Sequence, residues 1–323
     1  MRPNSFIFIG DLLDTGGKKY VQLFDDYKLK RASTAQIRVI KDYIDDFMFL
    51  DYFNINRYEY DPKPNPNGEY TFHPLEKKEW NYWVIEHSKS QMDKKLHLVL
   101  GLSQIDLTVL FDGVYNGVTS MDGKEVPAID DKKLTTVHFF LNTRNQIDKK
   151  KKMKNEDIEE IREIHSLLTT FYKHREKDAF INKALDDFIK LQELSEQSPF
   201  KILDYFSILE LLLTTYKPKV SHDSSLNNQL QKKINLLNNQ LKNKIDFTNF
   251  FKGPDTNTIE TIIDKLYQYR NDIAHGNKSD FENELKILKN KKDNISEFLR
   301  TLLKKILIHA IKEPQLIKDL KEC

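Results

Sequence analysis

The chain has 323 residues, of which 39% are hydrophobic and 31% are charged, and its formal net charge at pH 7 is +2. This composition is typical of a globular protein and excludes a wholly disordered chain. The small net charge excludes a general polycation, so any contact with nucleic acid has to be local. The length allows one to three domains.

Cysteine usage and apolar runs predict where the protein works. Cys323 is the single cysteine, so no disulfide can form within the chain, which fits a reducing compartment. The apolar run at 6–9 is shorter than the core of a secretory signal. The apolar runs at 96–102 and 206–213 are too short to span a bilayer. We therefore expect a cytoplasmic protein with no membrane partner.

The first part of the chain reads as a mixture of strands and helix. Short segments rich in aromatic and β-branched residues predict strands, and turn sequences such as DPKPNPNG at 61–68 separate them. The segment 35–49 has apolar residues at helical spacing and predicts a helix. The predicted strands cover 6–9, 19–24, 53–60, 69–72, 82–87, 96–102, 107–115 and 135–141. We expect a strand-rich α/β domain over residues 1–150.

From about residue 155 the apolar spacing is helical almost throughout. Pro199 suits the first turn of a helix, and Ser279 with Glu282 forms a capping box that would open the last helical block. The predicted helices cover 157–174, 178–197, 199–216, 224–243, 255–276 and 279–313. The expected fold class is therefore α+β, with a helical domain at 155–323 and a boundary at 148–155.

Two stretches in or beside the first part could bind phosphate groups. GDLLDTGGKK at 10–19 has the wrong spacing for a phosphate-binding P-loop, and a glycine turn explains it better. The boundary carries a run of lysines that is a candidate RNA-binding patch, although charge runs are more often solvated linkers. The run comprises Lys149, Lys150, Lys151, Lys152 and Lys154. The zinc motifs and the calcium-binding EF-hand loop are absent, so we expect no metal and no cofactor.

The helix predicted before Gly276 places an arginine inside its apolar stripe. At ~100° per residue, the side chains that form this stripe span an arc of ~100°, with Arg270 near the centre. The apolar members are Ile259, Ile262, Ile263, Leu266 and Ile273. An arginine in that position must pair with a buried partner or line a cleft. Asn271 and His275 are four residues apart and can touch, and the negative end of the helix dipole favours protonated His275.

These residues also have a simpler interpretation. Arg270 can be structural and pair with a carboxylate such as Glu210, and His275 can be an ordinary histidine at a helix end. An arginine followed five positions later by a histidine is a common spacing, with ~0.25 chance matches expected in this chain. The spacing alone is weak evidence for a site.

The sequence YRNDIAHG at 269–276, preceded by IIDKLYQ, resembles the signature of the HEPN superfamily and is most similar to its Apea-like branch. The segment 181–213 resembles the opening helix pair of that branch, including an acidic residue, Glu210, within the second helix. The segment 224–237 resembles the next helix loosely. The resemblance covers roughly residues 178–310 and does not extend to 1–150.

This resemblance implies a helical domain that dimerises and brings two arginine–histidine pairs into one cleft. Many members are metal-independent ribonucleases of antiviral and abortive-infection systems, whereas others only bind. By position, Arg270 and His275 match the arginine and histidine of the motif, and Asn271 matches the supporting polar residue. The expected function is RNA cleavage as a homodimer or higher homo-oligomer in bacterial antiphage defence. The strand-rich domain would then select the substrate or sense a phage-derived trigger.

The residue types suit RNA cleavage through attack of the 2′-OH on the neighbouring phosphate. Histidine can transfer the protons, and arginine can stabilise the crowded phosphorane with its planar fork of donors. Two alternatives remain at this point: a non-catalytic module that binds RNA or nucleotide, and a helical dimerisation scaffold in which Arg270 is structural.

Overall fold

The computed structural model describes residues 5–45, 55–88, 94–119, 125–131, 139, 150–195, 198–215, 225–251, 258–289 and 292–323. The chain divides into two compact units, Met1–Ser166 and Leu167–Cys323. The first unit is rich in strands and the second is helical, which confirms the predicted α+β class. The division falls within a helix that covers Asn155–Tyr172, beyond the boundary expected at 148–155.

The first unit is built on a six-stranded antiparallel sheet, in the order Tyr20–Phe24 (β3), Tyr27–Arg31 (β4), Trp83–His87 (β7), Ser5–Ile9 (β1), Val109–Thr119 (β8) and Glu125–Asp131 (β9). All five residues of its strand β1 are buried, so the sheet is covered on both faces there. The strands of the described chain are β1 Ser5–Ile9, β2 Leu13–Asp14, β3 Tyr20–Phe24, β4 Tyr27–Arg31, β5 Tyr60–Pro64, β6 Tyr70–Pro74, β7 Trp83–His87, β8 Val109–Thr119, β9 Glu125–Asp131 and β10 Lys151–Lys152.

Aromatic side chains fill the core on one face of this sheet. Phe6 on β1 lies opposite Gly113 on β8, where a Cβ atom would come within 2.2 Å of the Phe6 ring. Phe8 packs against Phe111 with ring centroids 5.3 Å apart. Helix α1, Thr34–Asp45, adds further apolar side chains to the same core. The missing side chain of Gly113 therefore makes room for a core aromatic ring.

Two small strand pairings complete the first unit. Strands β5 and β6 form an antiparallel hairpin. Strands β2 and β10 pair in parallel, with Leu13 opposite Lys151 and Asp14 opposite Lys152. The parallel pairing brings the lysine run beside the glycine turn that follows β2, although ~140 residues separate them in sequence.

Several sequence predictions for the first unit were wrong. Residues 96–102 belong to helix α2, Lys94–Leu102, in which Leu96 to Leu102 are all buried. A short run that is apolar on every side cannot be assigned to strand or helix by its period. Within 53–60, the described part begins with a 3-10 helix at Ile55–Tyr58. Strands β4 and β9 were not predicted, and 135–141 lies outside the described residues apart from residue 139.

The helices of the second unit surround a central apolar one. The helix at Pro199–Leu213 contacts those at Ala179–Leu191, Leu226–Gln240, Ile259–His275, Lys292–Lys312 and Pro314–Glu322. Within its sequence FSILELLL the buried residues are Phe206, Ile208, Leu209, Leu212 and Leu213. None of the helices in the described ranges is long and apolar enough to cross a membrane. The helices are α3 Asn155–Tyr172, which spans the division, then α4 Ala179–Leu191, α5 Pro199–Leu213, α6 Leu226–Gln240, α7 Ile259–His275, α8 Lys292–Lys312 and α9 Pro314–Glu322.

Helix starts follow the sequence signals in one case and depart from them in another. Pro199 occupies the first turn of α5, as predicted. The capping box predicted at Ser279 and Glu282 opens no α-helix: a 3-10 helix lies at Lys286–Leu288, and α8 covers Lys292–Lys312. The Asp280 carboxylate instead accepts from the backbone N–H groups of Glu282 and Asn283. Such a local turn competes with helix formation.

Candidate functional site

The helix that carries the candidate residues, α7, is anchored at both ends. The Thr258 side chain accepts from the backbone N–H of Thr261 at the N-terminus. At the C-terminus, Gly276 adopts φ 68° and ψ 22°, and the N–H of Asn277 donates to the carbonyl of Asp272 at 2.8 Å. This left-handed glycine cap fixes where the helix stops, and hence where His275 lies.

The apolar face of α7 is buried in the helical unit as the sequence predicts. Ile262, Ile263 and Leu266 are fully buried, while Ile273, in the last turn, is only half-buried. Arg270 lies on this face where burial gives way to partial exposure, and 24% of its side chain is accessible. The guanidinium is therefore set at the margin of the core, within reach of solvent.

Arg270 has an acidic partner on the central helix α5. Its Nη2 atom lies 3.3 Å from Glu210 Oε1 and donates to Glu210 Oε2 at 3.4 Å. One nitrogen atom thus faces both carboxylate oxygens, which is a weaker arrangement than two parallel hydrogen bonds from the fork. This is the pair that the structural interpretation of Arg270 predicts.

Tyr267 is part of the same cluster, and its role was not foreseen. Its ring lies under the Arg270 guanidinium, with 5.3 Å from the guanidinium carbon to the ring centroid. Burial raises the pKa of Tyr267 to about 12; the Glu210 carboxylate acts in the same direction and Arg270 opposes it. The three-residue spacing of Tyr267 and Arg270, which places them on one helix face, was the available sequence signal.

The remaining donors of Arg270 define what the cluster can bind. Nη1 donates to Asn271 Oδ1 at 3.0 Å, and the buried Nε makes no hydrogen bond with any residue in the described ranges. A guanidinium has five N–H donors, so donors remain on Nη1 and Nη2 after these contacts. A partly exposed arginine that is oriented by three neighbours can still donate hydrogen bonds to a phosphate oxygen.

His275 is placed apart from this cluster. Its side chain is exposed and forms no hydrogen bond or ion pair within the part of the chain that the structure describes. No hydrogen bond joins His275 to Asn271, which the helix spacing would allow it to reach; Asn271 Oδ1 accepts from Arg270 instead. A step of five residues turns the helix by ~140°, so Arg270 and His275 leave different sides of α7.

The lysines of the run at 149–154 lie within the first unit and have different environments. Lys151 is half-buried, lies 2.9 Å from Asp11 and donates to the carbonyl of Asp106. Lys150, Lys152 and Lys154 are exposed, with Lys150 Nζ 3.9 Å from Asp61. Lys149 lies outside the described residues. Strand alternation in β10 therefore turns Lys151 inward, and its charge is balanced locally.

Comparison of the chain with family models, with curated proteins and with solved structures finds no match. Across the described ranges, no group of three or more His, Cys, Asp or Glu side chains is arranged to hold a metal ion.

Proposed function

We propose that the protein is a metal-independent endoribonuclease of the HEPN type that uses Arg270 and His275. The reaction is attack of an RNA 2′-OH on the adjacent phosphorus atom, with loss of the 5′ oxygen of the next nucleotide. This reaction needs a proton acceptor, a proton donor and positive charge at the phosphorane. His275 serves as general acid or base, and Arg270 binds the non-bridging phosphate oxygens.

The observation that carries the proposal is the arrangement around Arg270. Tyr267, Asn271 and Glu210 hold the guanidinium in place while part of it stays accessible. A donor that is oriented before the substrate arrives needs little reorganisation when charge develops in the transition state. Loss of such a donor typically lowers the rate by ~10²–10³-fold.

Because of the position of His275, we expect a second copy of the chain to complete the site. Because Arg270 and His275 leave α7 ~140° apart, one copy does not direct both side chains at a single phosphate without movement of the helix end. We propose a homodimer in which α7 helices from two copies lie together, so that each cleft receives an arginine and a histidine. The exposed His275 and the accessible edge of Arg270 are compatible with such an arrangement.

A role in bacterial antiphage defence follows from the resemblance of YRNDIAHG and its helices to the Apea-like branch. In that role the first unit would recognise a phage-derived trigger or select the RNA. Growth arrest on expression in bacteria, relieved by His275→Ala, is the expected behaviour of such a nuclease.

The Glu210 ion pair also favours a second candidate, a helical dimerisation scaffold without nuclease activity. In that case Arg270 serves to join α7 to α5, and His275 has no role beyond the helix end. The scaffold differs from the nuclease in two respects: it cleaves no RNA, and it tolerates His275→Ala without loss of function.

The test is incubation of the full chain with two labelled oligonucleotides in EDTA, one of RNA and one with deoxyribose at every position. The nuclease should cut only the RNA and leave a 2′,3′-cyclic phosphate and a 5′-OH, because the 2′-OH is the nucleophile. Cleavage of the deoxyribose oligonucleotide, or cleavage that EDTA abolishes, would contradict this mechanism. The absence of cleavage of any cellular RNA would favour the scaffold.

A further inference from the structure

The first unit contains an open cavity of ≈840 Å³ beside the glycine turn. Its walls come from the segment after β2, from the end of β4, from the β5–β6 hairpin and its continuation, and from Lys150. This volume lies within the ~300–1,000 Å³ range of small-molecule sites. The cavity is therefore large enough for a ligand of nucleotide size.

The cavity unites the two phosphate-binding candidates that the sequence had offered separately. The parallel pairing of β2 with β10 places Lys150 in the same cavity as Gly17, Lys18 and Lys19. Gly16 and Gly17 have φ values of 63° and 81°, and no atom lies within 4 Å of the Cβ position at either. The backbone of this turn is thus open to a ligand.

Positive charge exceeds negative charge around the cavity. Five basic side chains line it, against three acidic ones. Lys18 Nζ donates to the neutral amide oxygen of Asn155, and Lys19 forms no ion pair with the described residues. Of the acidic groups, Asp14 already accepts from the Gly16 N–H. Neither lysine of the turn therefore forms an ion pair with a carboxylate among the described residues.

Arg31 forms a fixed cationic part of the wall. Its guanidinium carbon lies 5.2 Å from the centroid of the Trp83 ring, and Nη1 donates to the carbonyl of Trp80. Trp83 is buried, so the arginine covers its face. A guanidinium held on an aromatic ring loses little freedom when it binds an anion.

We infer that this cavity binds a phosphorylated small molecule of nucleotide size, with its phosphates on Lys18, Lys19 and Arg31. The inference goes beyond RNA cleavage and stands whether or not Arg270 and His275 form a nuclease. It gives the first unit a ligand of its own and makes it a nucleotide-responsive module.

Isothermal titration of the full chain tests this site with three probes: ATP, inorganic pyrophosphate and adenosine. ATP and pyrophosphate should bind, and adenosine should bind at least about tenfold more weakly than ATP, since charge-assisted hydrogen bonds supply most of the affinity. Lys19→Ala should weaken ATP binding by about tenfold or more. Lys28→Ala is the matched control, because it removes the same charge from an exposed position on β4 outside the cavity.

The outcomes separate a built site from general attraction. Equal weakening by Lys19→Ala and Lys28→Ala would overturn the inference, as would no binding of ATP and pyrophosphate at millimolar concentration. A short single-stranded RNA that binds through Lys19 while ATP and pyrophosphate do not would also overturn it, in favour of an RNA path. Unchanged thermal unfolding of both variants shows that the comparison is between folded proteins.

Discussion

The Arg270 guanidinium on α7 lies 3.3 Å from the Glu210 carboxylate on α5, with 24% and 18% of the two side chains exposed. This pair joins the helix that carries the candidate site to the central helix of the unit. The pair is compatible with both proposed functions. In a nuclease it would orient Arg270 for phosphate binding, and in a scaffold it would be the reason that an arginine stands at this position. The energy of the pair and the effect of its removal on cleavage are therefore separate measurements.

The Arg270–Glu210 pair should contribute measurably to stability. A double-mutant cycle with Arg270→Ala and Glu210→Ala is expected to give a coupling energy of about 1 kcal/mol, above that of exposed pairs because both side chains are mostly buried. Urea unfolding of the four proteins measures it. The exposed pair of Arg38 and Asp42 on α1 is the control, with ~0.3–0.5 kcal/mol expected. Equal coupling in the two cycles would contradict the structural role of the buried pair.

Tyr267 should make stability depend on pH in alkaline solution. Its pKa is raised from 10.0 to about 12 in the folded protein, so the unfolded chain loses this proton first. The contribution of Tyr267 to the free energy of unfolding is then fully present below about pH 10. It is lost as pH rises towards 12, by about 1 kcal/mol per pH unit. Urea unfolding of Tyr267→Phe should lack this contribution. Tyr20→Phe, at an exposed position of β3, is the control, and an identical alkaline slope in wild type and Tyr267→Phe would disprove the assignment.

Gly276 should be needed at the end of α7 for its conformation. Its φ of 68° is accessible to glycine at no steric cost, so Gly276→Ala should lower the free energy of unfolding by about 1 kcal/mol. Gly276→Asn should cost less, because asparagine tolerates the left-handed region. Thermal unfolding compares the two. A fully neutral alanine substitution would show that the helix end is not held in this conformation.

Gly113 should be intolerant of any side chain. A Cβ atom there would lie 2.2 Å from the Phe6 ring, so Gly113→Ala should destabilise the first unit by about 2 kcal/mol or more. Replacement of Phe6 by leucine in the same protein should recover part of that loss. Chemical unfolding of the single and double variants checks this, and additive losses would argue against a direct clash.

The sequence predicted the helical unit better than the strand-rich one, for physical reasons. Long amphipathic segments such as α7 carry many turns of periodic signal, and the end at Gly276 has a specific residue requirement. The buried helix α2 offered no such contrast between faces, and three of the five residues of β4 are basic, so that strand did not stand out. Helix geometry placed Arg270 at the centre of the apolar arc, and its pairing with Glu210 was one of the stated alternatives.

Other parts of the site depend on contacts that no local pattern contains. Lys150 reaches the cavity of the first unit because β2 pairs with a strand ~140 residues away, which brings the lysine run beside the glycine turn. From the sequence, the Tyr267–Arg270 contact could be inferred only from their three-residue spacing on α7. The acidic residue that completes the cluster, Glu210, lies on a different helix.

The most direct test of the central claim is the rate of RNA cleavage in EDTA by wild type, Arg270→Ala and His275→Ala, with the exposed His174→Ala as control. The proposed mechanism predicts losses of ~10²–10⁴-fold for His275→Ala and ~10²–10³-fold for Arg270→Ala, with folding retained and His174→Ala unaffected. Cleavage at the wild-type rate by His275→Ala would contradict the nuclease site proposed for α7.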